Sequence, residues 1–262
     1  MRIIVTGGTG LIGHALVMDL ASDGHEVVVL SRNPRQAGPM PANVSFAQWD
    51  AKSADGWGHL ADGADAIVHL ASANLAGDGF FPSRWTRERK KLIRDSRVYP
   101  GQAIVEAVRQ AQNPPKVVIQ ASAVGYYGVH DYSGTITEDS PPGRDFLADV
   151  SKQWEASTAE VTDKGVRQVI IRTGVVLSKE DGALPRLALP FKLFAGGPLG
   201  NGRQPFPWIH LHDEVKAIRH LISQRDASGP YNLTAPNPVT SLLRFFPAEL
   251  AEQGIRLRPA AV

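Results

Sequence analysis

The chain of 262 residues contains no cysteine. Disulfides, Cys-ligated zinc, iron–sulfur clusters and thiol nucleophiles are excluded together. No apolar run approaches the roughly 18 residues of a membrane span. The opening Met1-Arg2-Ile3-Ile4-Val5-Thr6 is too short for a signal-peptide core. Net charge is scarce as well: 28 Lys and Arg against 26 Asp and Glu leave a formal +2. Charge therefore argues for neither nucleic acid nor an anionic membrane as partner. The expectation is a cytoplasmic protein with a small-molecule substrate, no nucleic-acid or membrane partner, and an oligomeric state left open. With 43% hydrophobic and 21% charged residues, the composition is that of an ordinary globular chain, long enough for one large domain or a domain with an appendage.

What is present is an alternation of two periods. Arg2 to Thr6 is a β-branched run stopped by Gly7, and Leu11 to Ala21 then places apolar residues at near-helical spacing. Asp23-Gly24 ends that helix, and Glu26 to Leu30 is an unbroken apolar strand of the kind buried on both faces of a parallel sheet. Further strands are expected at Val44 to Gln48, Ala66 to Leu70, Lys116 to Ala121 and Val166 to Thr173, with helices near Arg84–Gln112 and Phe146–Lys164. Pro100 predicts a break or kink near Val98–Tyr99. The fold class is α/β, a doubly wound parallel Rossmann sheet over residues 1–175. Residues 176–262 read as a small part that covers the sheet, with a helix over Gly182 to Pro198.

Gly7-Gly8-Thr9-Gly10-Leu11-Ile12-Gly13 satisfies both a G-x-G-x-x-G and a G-x-x-G-x-x-G spacing. Such a motif alone is weak, but here it joins an apolar strand to an amphipathic helix inside a βαβ unit, which is the context that binds a pyrophosphate. After the second strand, where an NAD-binding chain offers a carboxylate to the ribose 2′-hydroxyl, this one has Ser31-Arg32-Asn33. A guanidinium attracts a 2′-phosphate and a carboxylate repels it, so NADP(H) is the expected cofactor.

With Asp50 after the third strand and His69-Leu70-Ala71-Ser72-Ala73 after the fourth, the chain resembles the extended short-chain dehydrogenase/reductase superfamily. Arg84-Trp85-Thr86, Ile93 to Arg97, Ala121 to Gly128, Arg172-Thr173-Gly174-Val175-Val176-Leu177 and Pro207-Trp208-Ile209-His210 are similar to its atypical, sugar-epimerase-related group, the epimerase family proteins. The resemblance covers roughly residues 1–240. It implies that Asp50 reaches the adenine amino group, that Leu70, Ala71 and Ser72 pass beneath the adenosine ribose, and that Val175 lies by the cofactor. Two departures stand out. If Lys152 is the lysine of the superfamily's Tyr-x-x-x-Lys, position 148 is Ala148 and the usual proton donor is missing. Asn237 to Thr240 is followed by only 22 residues, so the C-terminal part is expected to be shortened relative to the family.

Ser122, past the end of a central strand, is the candidate to bond a substrate oxygen, and Lys152 the candidate to reach the nicotinamide ribose. Tyr126 and Tyr127 are the phenols nearest to Ser122 in sequence, and either could supply a proton. Arg84 or Trp85 could contact cofactor or substrate beside Gly77 to Pro82; that loop and Gly196 to Gln204 are expected as rims of an open cleft. His210 and His212 would share a strand face, yet no third ligand accompanies them, so no metal is expected. Asp213-Glu214 reads as the cap of the next helix. Two functions follow from the residues: NADP(H)-dependent redox or epimerase-like chemistry on a small polar carbonyl or sugar-like metabolite, or an NADP(H)-sensing module that acts through a protein partner without turnover.

Overall fold

A computed structural model describes residues 1–36, 38–77, 83–129, 134–193, 204–237 and 239–240. Its elements are β1 (Arg2–Thr6), α1 (Leu11–Ser22), β2 (Glu26–Ser31), β3 (Val44–Gln48), β4 (Ala66–His69), α2 (Arg87–Gln110), β5 (Val117–Ala123), α3 (Phe146–Ala156), β6 (Arg167–Thr173), β7 (Val175–Leu177), α4 (Ala183–Lys192), β8 (Pro205–Phe206), β9 (Trp208–His210), α5 (Leu211–Ser223), β10 (Gly229–Leu233) and β11 (Val239–Thr240). Seven strands form one sheet in the order β10-β6-β5-β4-β1-β2-β3. All of its pairings are parallel. The period of two explains why these strands read as continuous apolar runs. Ile3 and Val5 join the core beneath α1 and α5, while Ile4 between them joins the core beneath α2.

The order reverses between β1 and β4, because the chain leaves β1 for β2 and β3 on one side and later builds β4, β5, β6 and β10 on the other. In a doubly wound sheet that reversal parts the loops at the carboxyl ends of the strands and opens a crevice there.

Three expectations need correction. Helix α2 runs from Arg87 to Gln110 through Pro100, so of the expected break or kink the break does not occur. A proline removes one ladder bond, but Pro100 and Gly101 are buried and the turns on either side are packed, so the helix continues. The expected helix Phe146–Lys164 resumes as a 3₁₀ helix over Ala159–Lys164 after an interruption at residues 157–158. There Ser157 Oγ donates to the Trp154 carbonyl at 2.7 Å and Thr158 Oγ1 donates to Gln120 Oε1 at 3.0 Å, side-chain bonds that compete with the helical ladder. Finally, the chain beyond residue 175 extends the sheet as well as covering it: α5 packs beside α1, and β10 pairs with β6. The helix expected over Gly182 to Pro198 is seen as α4, Ala183–Lys192, and its remainder from residue 194 lies outside the described residues. Of the expected rims Gly77 to Pro82 and Gly196 to Gln204, residues 78–82 and 196–203 lie outside the described residues, as do 194–195 and 241–262.

Candidate active site

The crevice is built first from glycine. Gly7 has φ +71°, and a Cβ on it would come within 2.9 Å of the Ala71 amide nitrogen in the loop after β4. A Cβ on Gly13 would meet the Gly7 carbonyl oxygen at 2.2 Å. Only hydrogen permits these approaches. Behind the turn, the buried Thr6 hydroxyl accepts from the Leu70 and Ala71 amides at 3.2 and 3.1 Å and lies 2.7 Å from His69 Nδ1. With two amides already donating to it, that hydroxyl gives its hydrogen to Nδ1, which leaves His69 as the Nε2–H tautomer. Burial pushes the His69 imidazole down to about 4, so it is neutral near neutral pH. Trp154 packs edge-on against His69, and the buried Arg97 guanidinium lies 5.0 Å over the Trp154 ring. The ends of β1 and β4 are thus clamped together.

Helix α1 begins at Gly10 with no side-chain cap and no acidic residue in its first turn. Its orphan amides, at Leu11, Ile12 and Gly13, face the crevice with the positive end of the helix dipole. Phosphate oxygens suit that donor set, and any Cβ at Gly7 or Gly13 would destroy it. Thr9 is exposed on the same turn, and Leu11 and Ile12 are half-buried. Ser31 closes β2, with its Oγ accepting from the Asn33 amide at 3.2 Å. Arg32 is exposed and has no carboxylate partner among the described residues. Asp50, past the end of β3, accepts from the Ser53 and Lys52 amides at 2.9 and 2.7 Å, which holds its carboxyl below the usual range. Leu70 and Ala71 are half-buried along the crevice and Ser72 is exposed. Arg84 is exposed ahead of α2, and its neighbour Trp85 donates from Nε1 to the Leu75 carbonyl at 3.2 Å. Val175 opens β7 with its amide on the Pro207 carbonyl at 2.9 Å.

At the ends of β5 and β6 the expected catalytic group does not assemble as a unit. Ser122 is buried, and its hydroxyl donates to Glu155 Oε1 at 2.6 Å. Glu155 in turn receives a bidentate pair from Arg172, Nε to Oε1 at 2.9 Å and Nη2 to Oε2 at 3.0 Å. Arg172 Nη1 donates to the Tyr127 hydroxyl at 3.0 Å and to the Glu138 carbonyl at 2.9 Å. Tyr127 donates onward to Asn232 Oδ1 at 2.6 Å. Tyr126 differs: its ring stacks on the Arg172 guanidinium at 3.6 Å, and its hydroxyl has no hydrogen-bond partner among the described residues. Lys152 lies on the exposed flank of α3, 3.5 Å from Asp149, whereas Ala148 is fully buried. Four residues apart on α3, the two are neighbours on the helix surface, with Lys152 at the exposed edge of the buried stripe formed by Ala148, Ser151 and Glu155.

Two further readings change. His210 ends β9 and caps α5, its Nδ1 accepting from the His212 amide at 3.2 Å, so the two histidines share no strand face. The cap is therefore His210 and not Asp213-Glu214; Glu214 is fully buried in the first turn, where its Oε1 accepts from Thr173 Oγ1 at 2.8 Å. The carboxylates Glu155 and Glu214 were missed because each sits in a helical stretch that reads as a polar face. A signal did exist for the first: Arg172 interrupts the apolar run of β6, and a buried guanidinium requires an acid.

A parallel sheet whose order reverses over a glycine-lined, uncapped helix start defines a Rossmann-type dinucleotide-binding protein. The chain belongs to the NAD dependent epimerase/dehydratase family, whose sequence model matches residues 3–234. It is 39% identical over 241 residues to the chloroplastic SDR39U1 homolog of Arabidopsis thaliana, an epimerase family protein, covering 91% of this chain and 67% of that one. It is also 39% identical over 244 residues to the epimerase family protein YfhF of Bacillus subtilis, covering 91% and 76%. Among solved structures, human epimerase family protein SDR39U1 (isoform 2) with NADPH superposes with a TM-score of 0.77 at 33% identity, covering 92% of this chain and 76% of that one. The protein is thus NAD(P)-dependent and epimerase-like. No helix among the described residues is long and apolar enough to cross a membrane.

Proposed function

We propose that this protein uses NADP(H) to carry out oxidoreductase or epimerase-like chemistry on a small polar carbonyl or sugar-like metabolite. The observation that carries this reading is the pairing of an uncapped α1 start with an exposed Arg32, and no acid, at the end of β2. The amides of Leu11, Ile12 and Gly13 bind the pyrophosphate, and Arg32 binds the 2′-phosphate. Leu70, Ala71 and Ser72 line the path of the ribose, Asp50 meets the adenine, and Val175 borders the nicotinamide half. The NADPH bound by the human relative supports the same choice of cofactor. When bound, the cofactor supplies or accepts a hydride at the ends of β4 to β6.

The Ser122–Glu155–Arg172–Tyr127 network holds the strand ends in place, and Tyr126 presents its free hydroxyl for contact with the substrate. Lys152 takes no part from the exposed flank of α3, and Arg84 and Trp85 stand at the entry to α2. The test is to incubate the protein with NADPH and a panel of aldehydes, ketones, quinones and nucleotide sugars while following NADPH absorbance. Turnover of any member supports an enzyme. The second reading, an NADP(H)-sensing module that acts through a protein partner, is favoured by one observation: the expected tyrosine position is a buried alanine. Tight NADPH binding with no turnover of any member supports that reading instead.

A further inference from the structure

Thr173 is the last residue of β6, and its register partner is Ala123, the last residue of β5. Its half-buried side chain therefore stands at the carboxyl edge of the sheet, on the side of the crevice away from the Arg32 end. Directly behind it is Glu214, fully buried in the first turn of α5. Although a helix start favours a carboxylate, neither Glu214 oxygen takes an amide among the described residues. Oε1 accepts from Thr173 Oγ1 at 2.8 Å, and Oε2 is buried with no partner among those residues.

No cation among the described residues compensates this carboxyl. Arg172, next to Thr173 on β6, is turned to Glu155. Lys216 and Arg219 on α5 reach across to Asp19 and Asp23 on α1. His210 holds the His212 amide. Burial without compensation pushes the Glu214 carboxyl up to about 8, so it is protonated near neutral pH.

We propose that Thr173 and Glu214 form a proton-delivery pair for the nicotinamide end of the crevice, with the Thr173 hydroxyl meeting the substrate and the Glu214 carboxylic acid as the reserve behind it. The proposal rests on the NADP(H)-dependent carbonyl chemistry of the preceding section and identifies the proton source that Ala148 cannot be. In carbonyl reduction the substrate carbon receives the hydride of NADPH and the C=O π bond breaks. With the carboxyl protonated, the 2.8 Å contact runs the other way, from Glu214 Oε1–H to Thr173 Oγ1, which turns the Thr173 hydrogen to the substrate; the substrate oxygen forms its O–H bond with that hydrogen as the Thr173 oxygen takes the Glu214 proton. Products are the alcohol, NADP⁺ and the Glu214 carboxylate, which regains a proton from solvent. The pair suits the cofactor's charge change, because the carboxylate appears when the nicotinamide ring becomes positive.

That linkage can be read without any substrate. NADP⁺ and NADPH are titrated calorimetrically near pH 7 into wild type and Glu214→Gln, in two buffers of different ionisation enthalpy. The expected result is about one proton released per NADP⁺ and none per NADPH in the wild type, with no release in Glu214→Gln. Infrared spectra of the protein alone should show a protonated carboxyl C=O band that is absent from Glu214→Gln and shifted in Thr173→Val. Equal proton release with both cofactors, release that persists in Glu214→Gln, or a wild type without that band overturns the pair while the cofactor reading stands. A protein that binds neither cofactor overturns both.

Discussion

At the scale of single residues, the ends of β5 and β6 hold two acids that differ only in what surrounds them. Glu155 is matched by the Arg172 fork and by Ser122, whereas among the described residues Glu214 has only Thr173. Native Glu214 has its pKa raised from 4.5 to about 8, so it binds a proton that the unfolded chain releases at lower pH. Its contribution to stability is complete below about 4.5 and lost as pH rises through about 8. Taking Glu214→Gln as reference cancels the other titrating groups. Wild type should lose thermal stability relative to that variant between about pH 4.5 and about pH 8. A pH-independent difference in Tm between the two would contradict the burial argument. Ser122→Ala removes one donor from a buried carboxylate and should cost roughly 1–3 kcal/mol in a denaturant titration. NADPH affinity should stay close to wild type, because the hydroxyl points at Glu155 and not into the crevice.

At the scale of elements, periodicity located the strands well, because strands buried on both faces are short apolar runs ended by turn residues. The spacing of Ala148 and Lys152, four apart on α3, was legible as well, but their burial was not: Ala148 is fully buried and Lys152 exposed, because the packed stripe of the helix ends between them. Ala148→Tyr should therefore destabilise the protein by about 1–3 kcal/mol, as overpacking of a filled core position does. A tyrosine accommodated there with no loss of Tm would contradict the close packing around Ala148. Pro100 teaches the complementary lesson: local propensity predicts a break, and burial of the flanking turns overrides it.

At the scale of the whole molecule, the crevice and its cofactor class were legible because glycine spacing is a backbone requirement that sequence displays directly. Gly7 and Gly13 stand where any side chain would collide with the loop after β4 or with the turn itself. The hydrogen-bond network across β5, α3, β6 and β10 was not legible, since Ser122, Glu155, Arg172 and Asn232 come together only through the sheet order. The return of α5 and β10 to the sheet was hidden for a similar reason. A short strand with Gly229 and Pro230 at its start carries little periodic signal, and its pairing with β6 is a long-range contact.

We propose that this crevice holds NADP(H), oriented by α1 and selected by Arg32. A charge-assisted bond to the 2′-phosphate contributes roughly 1.5–3 kcal/mol, or about tenfold to a hundredfold in affinity. The most direct measurement is a fluorescence titration of NADPH and NADH into wild type and Arg32→Asp at low and at raised salt. The prediction is a wild type that prefers NADPH by at least about tenfold, a preference eroded by salt, and a variant that loses far more NADPH than NADH affinity. Equal affinities in the wild type, or equal losses in the variant, would contradict it.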